Sequence, residues 1–126
     1  MRILLDTQVL LWAMADPSRL PLASRRLLSS GTSEVCFSLA SIWEIAIKYS
    51  LGKLTFDADV IAGAAQADGF GCLDIRREHL SEVQRLPWHH RDPFDRLLVA
   101  QSIVEPAVLL TSDAVLPRYG PTIRSI

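Results

Sequence analysis

The chain has 126 residues, 49% hydrophobic, 21% charged and 7% aromatic, with 6 Gly and 7 Pro, which excludes a disordered, collagenous or disulfide-stapled chain and describes one globular domain over residues 1–126. Its 13 basic and 14 acidic residues leave a net charge of -1, which excludes a protein that coats nucleic acid through bulk charge, so any phosphate-bearing ligand has to be gripped locally. No apolar run approaches the ~18 residues of a membrane span, Asp6 interrupts the leader-like N-terminus, and Cys36 and Cys72, which lack metal-ligand spacing, read as buried free thiols of a reducing cytoplasm.

Arg2 to Leu5 is a short apolar strand ending at Asp6 and Thr7, and Gln8 to Ala15 is an apolar helix stopped before Pro17. Pro21 opens a second helix to about Ser30. Glu34 to Ser38 is the second strand, followed by a helix from Leu39 to Leu51 that Gly52 terminates. A helix from Asp57 to Asp68 leads to a weaker strand, Phe70 to Ile75, and Glu78 to Leu86 is helical. Pro87 to Asp92 has no periodicity and reads as a loop. Pro93 to Glu105 is a helix, Ala107 to Thr111 a strand, Ala114 to Arg118 a short helix, and Thr122 to Ile126 the last strand.

The strands are nearly continuous apolar runs alternating with helices, which predicts an α/β fold with a central parallel sheet of four to five strands, covered by helices on both faces. Right-handed crossovers then put every strand-to-helix junction on one edge, where ligands bind in open α/β folds. Asp6, Glu44, Asp95 and Asp113 all map to that edge. Each alone suits a structural role: Asp6 and Asp113 as N-caps, Ser41 with Glu44 as a capping box, and Asp95 as a first-turn acid behind the N-cap Asp92. Together they argue otherwise, because each like-charged pair at ~5 Å costs roughly 3 kcal/mol at an effective dielectric of ~20. Such a set needs shared protons or a divalent cation, and hard oxygen donors without His or Cys suit Mg²⁺ or Mn²⁺. Glu44 carries most information, since only Ser41, Glu44 and Lys48 break the apolar character of its helix.

Four segments resemble the PIN-domain family, and within it the VapC-type ribonuclease toxins of toxin-antitoxin pairs. They are Leu4 to Trp12, Ser41 to Lys48 with Leu51 to Leu54, His90 to Gln101, and Leu109 to Asp113. The family's acidic pattern falls on Asp6, Glu44, Asp95 and Asp113, with Asp92 as a neighbouring acid and Thr7, Thr111 and Ser112 as polar supporters. Departures are Gln8, where Asn or His is common, and the missing basic residue after Asp113. The resemblance implies metal-dependent hydrolysis of RNA, with Asp6 and Asp95 as primary ligands, Asp113 as a second or water-mediated ligand, and Glu44 as ligand or water-orienting base. It also implies a homodimer and a small antitoxin partner, toward which Leu11, Trp12, Leu27 and Leu28 offer apolar surface.

Arg91 or Arg96 can meet phosphate charge, or can pair with Asp92 or Glu105. His89 and His90 suggest a metal-free two-histidine cleavage, but adjacent side chains in one loop seldom flank a reacting atom from opposite sides. His79 reads as solvated, Trp88 as a loop anchor or a base-stacking residue, and Trp12 and Trp43 as core or dimer interface. Asp74 reaches the same edge or pairs with Arg76 or Arg77. Two alternatives remain: a metal-dependent phosphohydrolase of small phosphoesters, and a non-catalytic acidic interaction module. Against the first, Gln8 stands where a haloacid-dehalogenase-like site carries a second Asp, and no phosphate-binding glycine loop follows the first strand.

Overall fold

In the computed structural model, which describes residues 1–126, five strands form one wholly parallel sheet: β1 (Arg2–Leu5), β2 (Glu34–Ser38), β3 (Gly71–Leu73), β4 (Val108–Thr111) and β5 (Ile123–Ser125). Their order is β3-β2-β1-β4-β5. The helices are α1 (Thr7–Ala15), α2 (Leu22–Ser29), α3 (Leu39–Ser50), α4 (Ala58–Ala67), α5 (Arg77–Val83) and α6 (Pro93–Val104). Every predicted strand and helix is present. Pro17–Arg19 adds an unforeseen 3-10 turn, supported by the Ser18 hydroxyl and the Arg19 guanidinium on Asp16, and the last short helix is a 3-10 turn at Leu116–Tyr119.

The apolar strands are explained by burial on both faces. Ile3 and Leu5 of β1 join Val35, Phe37 and Leu110 in one core cluster with residues of α1, α3 and α4, whereas Leu4, Cys36 and Leu109 join the opposite cluster with Leu97 to Ala100 of α6. A strand with water on one side would alternate apolar with polar residues; these need not. β1 is central, its partners being β2 and β4. The winding direction therefore reverses between β1 and β4, and the crevice beyond the carboxyl ends of these two strands is where open α/β sheets bind ligands.

Local chemistry sets the ends. Ser38 rather than Ser41 caps α3, its Oγ accepting the Ala40 amide at 2.9 Å, so Ser41 and Glu44 do not form the expected capping box. Gly52, at φ 72°, takes the left-handed conformation that closes α3. No helix is long and apolar enough to cross a membrane.

Two buried-side-chain expectations are corrected. Cys36 is buried, but Cys72 lies on the edge strand β3 and is exposed. His79, expected in solvent, is completely buried: Nδ1 accepts the Arg76 amide at 2.9 Å and Nε2 meets Glu105 Oε2 at 2.6 Å. That contact, with Arg76 and Arg2 nearby, lowers the Glu105 pKa from its ordinary value.

Candidate functional site

Asp6 ends β1 and caps α1, with only 4% of its surface exposed. Its Oδ1 accepts the Val9 amide at 2.8 Å. The other oxygen reaches across to β4, accepting the Thr111 hydroxyl at 2.5 Å and the Ser112 amide at 3.2 Å. Burial raises the Asp6 pKa despite these donors, which pull the other way, and the charge of Glu44 adds to the rise. Thr111 also accepts the Asp113 amide at 3.0 Å, so one hydroxyl ties two of the acids together.

Glu44 lies in α3, buried, with both oxygens engaged. Oε1 accepts the Thr7 hydroxyl at 2.7 Å, and Oε2 meets the Lys48 ammonium at 2.7 Å. Thr7 Oγ1 is also 3.0 Å from Ser41 Oγ. The Thr7 hydroxyl is the donor toward both, nearer the Glu44 carboxylate than Ser41. Lys48 is held more basic than usual, chiefly by its hydrogen bond to Glu44.

Asp95 occupies the first turn of α6, where Asp92 is the N-cap and accepts the Phe94 and Asp95 amides at 2.8 and 3.0 Å. Burial first, then the charges of Asp92, Asp6 and Glu44, raise the Asp95 pKa to about 7, with His90 offsetting part of the effect. Asp113 follows β4; its Oδ1 accepts the Val115 amide at 2.8 Å and its Oδ2 lies 2.8 Å from His90 Nε2. The same nitrogen is 3.6 Å from Asp95 Oδ2.

These side chains share one cleft of about 270 Å³, lined by Asp6, Glu44, Asp92, Asp95 and Asp113 with Thr7, Gln8, Ser112 and Lys48, and by Leu11 and Leu54. Five carboxylates thus face one ammonium. The residues fit a hard divalent cation: oxygen donors dominate, two carboxyl groups are pushed toward their protonated forms without one, and Asp95, Asp113 and His90 offer ligand atoms within 4.8 Å of one another. A larger hollow of about 400 Å³, lined in part by Met14, Leu20, Leu28 and Phe70, carries none of the predicted site residues.

The structure thus brings together Asp6, Glu44, Asp92, Asp95, Asp113, Thr7 and Ser112 at the cleft, with Thr111 directly behind Asp6. Arg91 and Arg96 do not line it. Arg91 is exposed. Arg96, expected to meet phosphate or an acid, is buried and spends its donors on main-chain carbonyls: Val83 at 3.1 Å, Leu86 at 3.4 Å and Pro87 at 2.9 Å, together with the Tyr119 hydroxyl at 3.2 Å. Its guanidinium also stacks on Trp88, 3.8 Å from the ring centroid. The apolar tail of α6 draws Arg96 inward, and a five-donor fork satisfies loop carbonyls that water no longer reaches. Asp74 is exposed, without an ion pair, its carbonyl accepting the Gln101 amide at 3.3 Å. Trp43 is 56% exposed rather than core, packed edge-on against Phe94 with centroids 5.0 Å apart. Sequence reasoning gave His90 no part among the acids; its position two residues before Asp92, in a chain turning into a helix, was the available signal.

The sequence profile of the PIN domain matches residues 3–120. Among solved structures, the chain is similar to one in the crystal structure of VapBC2 from Rickettsia felis bound to a DNA fragment from their promoter, with a TM-score of 0.71 at 15% identity over 100% of this chain and 99% of that one. No curated protein matches it. At that identity the structural likeness speaks for the fold; the profile, running from β1 to the turn before β5, shows that this chain belongs to the PIN domain family.

Proposed function

We propose that the chain is a Mg²⁺- or Mn²⁺-dependent endoribonuclease and the cytoplasmic toxin of a toxin-antitoxin pair, acting as a homodimer restrained by a small antitoxin protein. One observation carries the catalytic reading: acids from four separate elements converge on a single crevice, where burial first and neighbouring carboxylates second raise the pKa of Asp6 and Asp95. Family membership and the fold shared with a VapBC2 chain support the toxin assignment.

Asp6 and Asp95 are the primary ligands in this reading, and Asp113 completes the set. These residues would hold a divalent ion, whose positive charge would stabilise the scissile phosphate and lower the pKa of a bound water. Asp6 keeps its orientation through Val9, Thr111 and Ser112, which together occupy both of its oxygens from the protein side. Glu44, its charge balanced by Lys48, serves in this reading as a further ligand or as the base that orients water. Lys48 is the only cationic side chain lining the cleft, and its half-exposed ammonium is available to a phosphate oxygen.

The test is incubation of the purified chain with total RNA, with and without Mg²⁺ or Mn²⁺. Cleavage that requires the ion and disappears in Asp6→Asn and Asp95→Asn, with circular dichroism unchanged, is the expected result. Cleavage that persists in chelator would redirect attention to His89 and His90. Hydrolysis of small phosphoesters but not RNA would select the phosphohydrolase alternative, and no hydrolysis at all the interaction module. Expression of the chain alone should arrest growth, and co-expression of its antitoxin should relieve it.

A further inference from the structure

His90 presents both ring nitrogens to fixed partners. Nδ1 accepts the backbone amide of Asp92 at 3.0 Å and therefore carries a lone pair. The proton then resides on Nε2, which faces Asp113 Oδ2 at 2.8 Å and Asp95 Oδ2 at 3.6 Å. A nitrogen that carries a proton has no lone pair for a cation, so the three-residue cluster of His90, Asp95 and Asp113 is not simply a set of three ligands. The loop holding the ring is itself tied down: the His90 amide donates to the Tyr119 hydroxyl at 3.0 Å, and Arg96 holds both that hydroxyl and the Pro87 carbonyl. With Oδ1 on the Val115 amide and Oδ2 on the imidazole, Asp113 has one donor on each oxygen and one lone pair per oxygen left for the cleft.

We propose that His90 is a positioning residue, not a metal ligand: its Nε2–H, oriented through the Asp92 amide, holds Asp113 in the attitude that receives the divalent cation. The ring is thus coupled to both halves of the site, because Asp92 is also the N-cap that presents Asp95. The same arrangement recurs away from the cleft at His79, whose Nδ1 takes the Arg76 amide while Nε2 faces Glu105. This inference rests on the metal-dependent reading above.

Two measurements on the full chain separate the two. Long-range ¹⁵N–¹H spectra of the imidazoles in chelator should show His90 as the Nε2–H tautomer near neutral pH; an Nδ1–H or doubly protonated ring would overturn the proposal without any reference to metal. Calorimetric titration with Mn²⁺ alone should give about 10- to 100-fold weaker binding for His90→Ala, largely restored in His90→Gln, whose side-chain amide donates from near the position of Nε2. Equal binding by wild type and His90→Ala, or a ¹⁴N hyperfine coupling to bound Mn²⁺ that His90→Gln abolishes, would overturn it as well. If the wild-type chain binds no Mn²⁺, the metal reading falls, while the tautomer spectrum still judges the hydrogen bond.

Discussion

Asp95 shows how a single carboxyl group records what its cleft is built for. Its pKa stands at about 7 when folded against an ordinary 3.8, so between those values the folded state holds a proton that the unfolded chain has released. Stability of the metal-free protein accordingly falls as pH rises through that window and levels off above it. Asp95→Asn should remove the slope, stabilising the metal-free protein by on the order of 2 kcal/mol at about pH 8 and by much less at about pH 5, as urea unfolding in chelator would show. The same substitution should abolish any stabilisation by Mn²⁺. Thr111→Val removes the hydroxyl that Asp6 and the Asp113 amide share; it should raise the Asp6 pKa further and weaken Mn²⁺ binding, read by calorimetry. At this scale the acids were legible, because strand ends followed by Asp are visible in a string of letters. The histidines were not. Whether His79 is solvated or buried depends on Glu105, 26 positions away, and nothing local announces such a partner.

Helix α6 joins the site to the core. Asp92 and Pro93 start it, Asp95 faces the cleft, and Leu97 to Ala100 are buried against the sheet. Leu98→Ala, at a fully buried position, should cost about 2–5 kcal/mol in chemical unfolding. Arg96, two residues before Leu98, suits a phosphate contact by sequence alone, since arginine beside acids fits that role. The fold instead uses it to brace the irregular segment before α6, where its guanidinium donates to the Pro87 and His90 carbonyls. Arg96→Lys keeps the charge but cannot reach several carbonyls at once; it should destabilise the protein by ~2 kcal/mol. It should also weaken Mn²⁺ binding at a distance by loosening His90, a loss that a cleft residue's own substitution would produce without the stability cost. Element types were readable because strand runs and helix caps are local signals. The start of α3 at Leu39 was equally readable, but the pairing of Ser41 with Glu44 as a capping box was not its cap, because Thr7, far away in sequence, meets both side chains.

The whole molecule is organised by the sheet order. With β1 in the centre and winding that reverses beside it, the acids after β1 and β4 become neighbours although Asp6 and Thr111 are 105 positions apart. Mn²⁺ at about 100 times its dissociation constant should stabilise the folded chain by ~2.7 kcal/mol, a rise in Tm on the order of 10 °C, measurable by differential scanning fluorimetry. The parallel sheet with helices on both faces followed from apolar runs and the right-handed rule; the strand order and the way distant hydroxyls and amides are shared between acids did not, because they depend on the final docking of β4 against β1. That docking has a bearing on synthesis. The first acid to leave the ribosome, Asp6, must wait for the last, Asp113, before the cleft is complete, so a half-made polypeptide carries Asp6 and Glu44 without Asp92, Asp95 or Asp113. For most of each translation cycle the growing chain therefore lacks a complete cleft, which closes only when β4 slides into place.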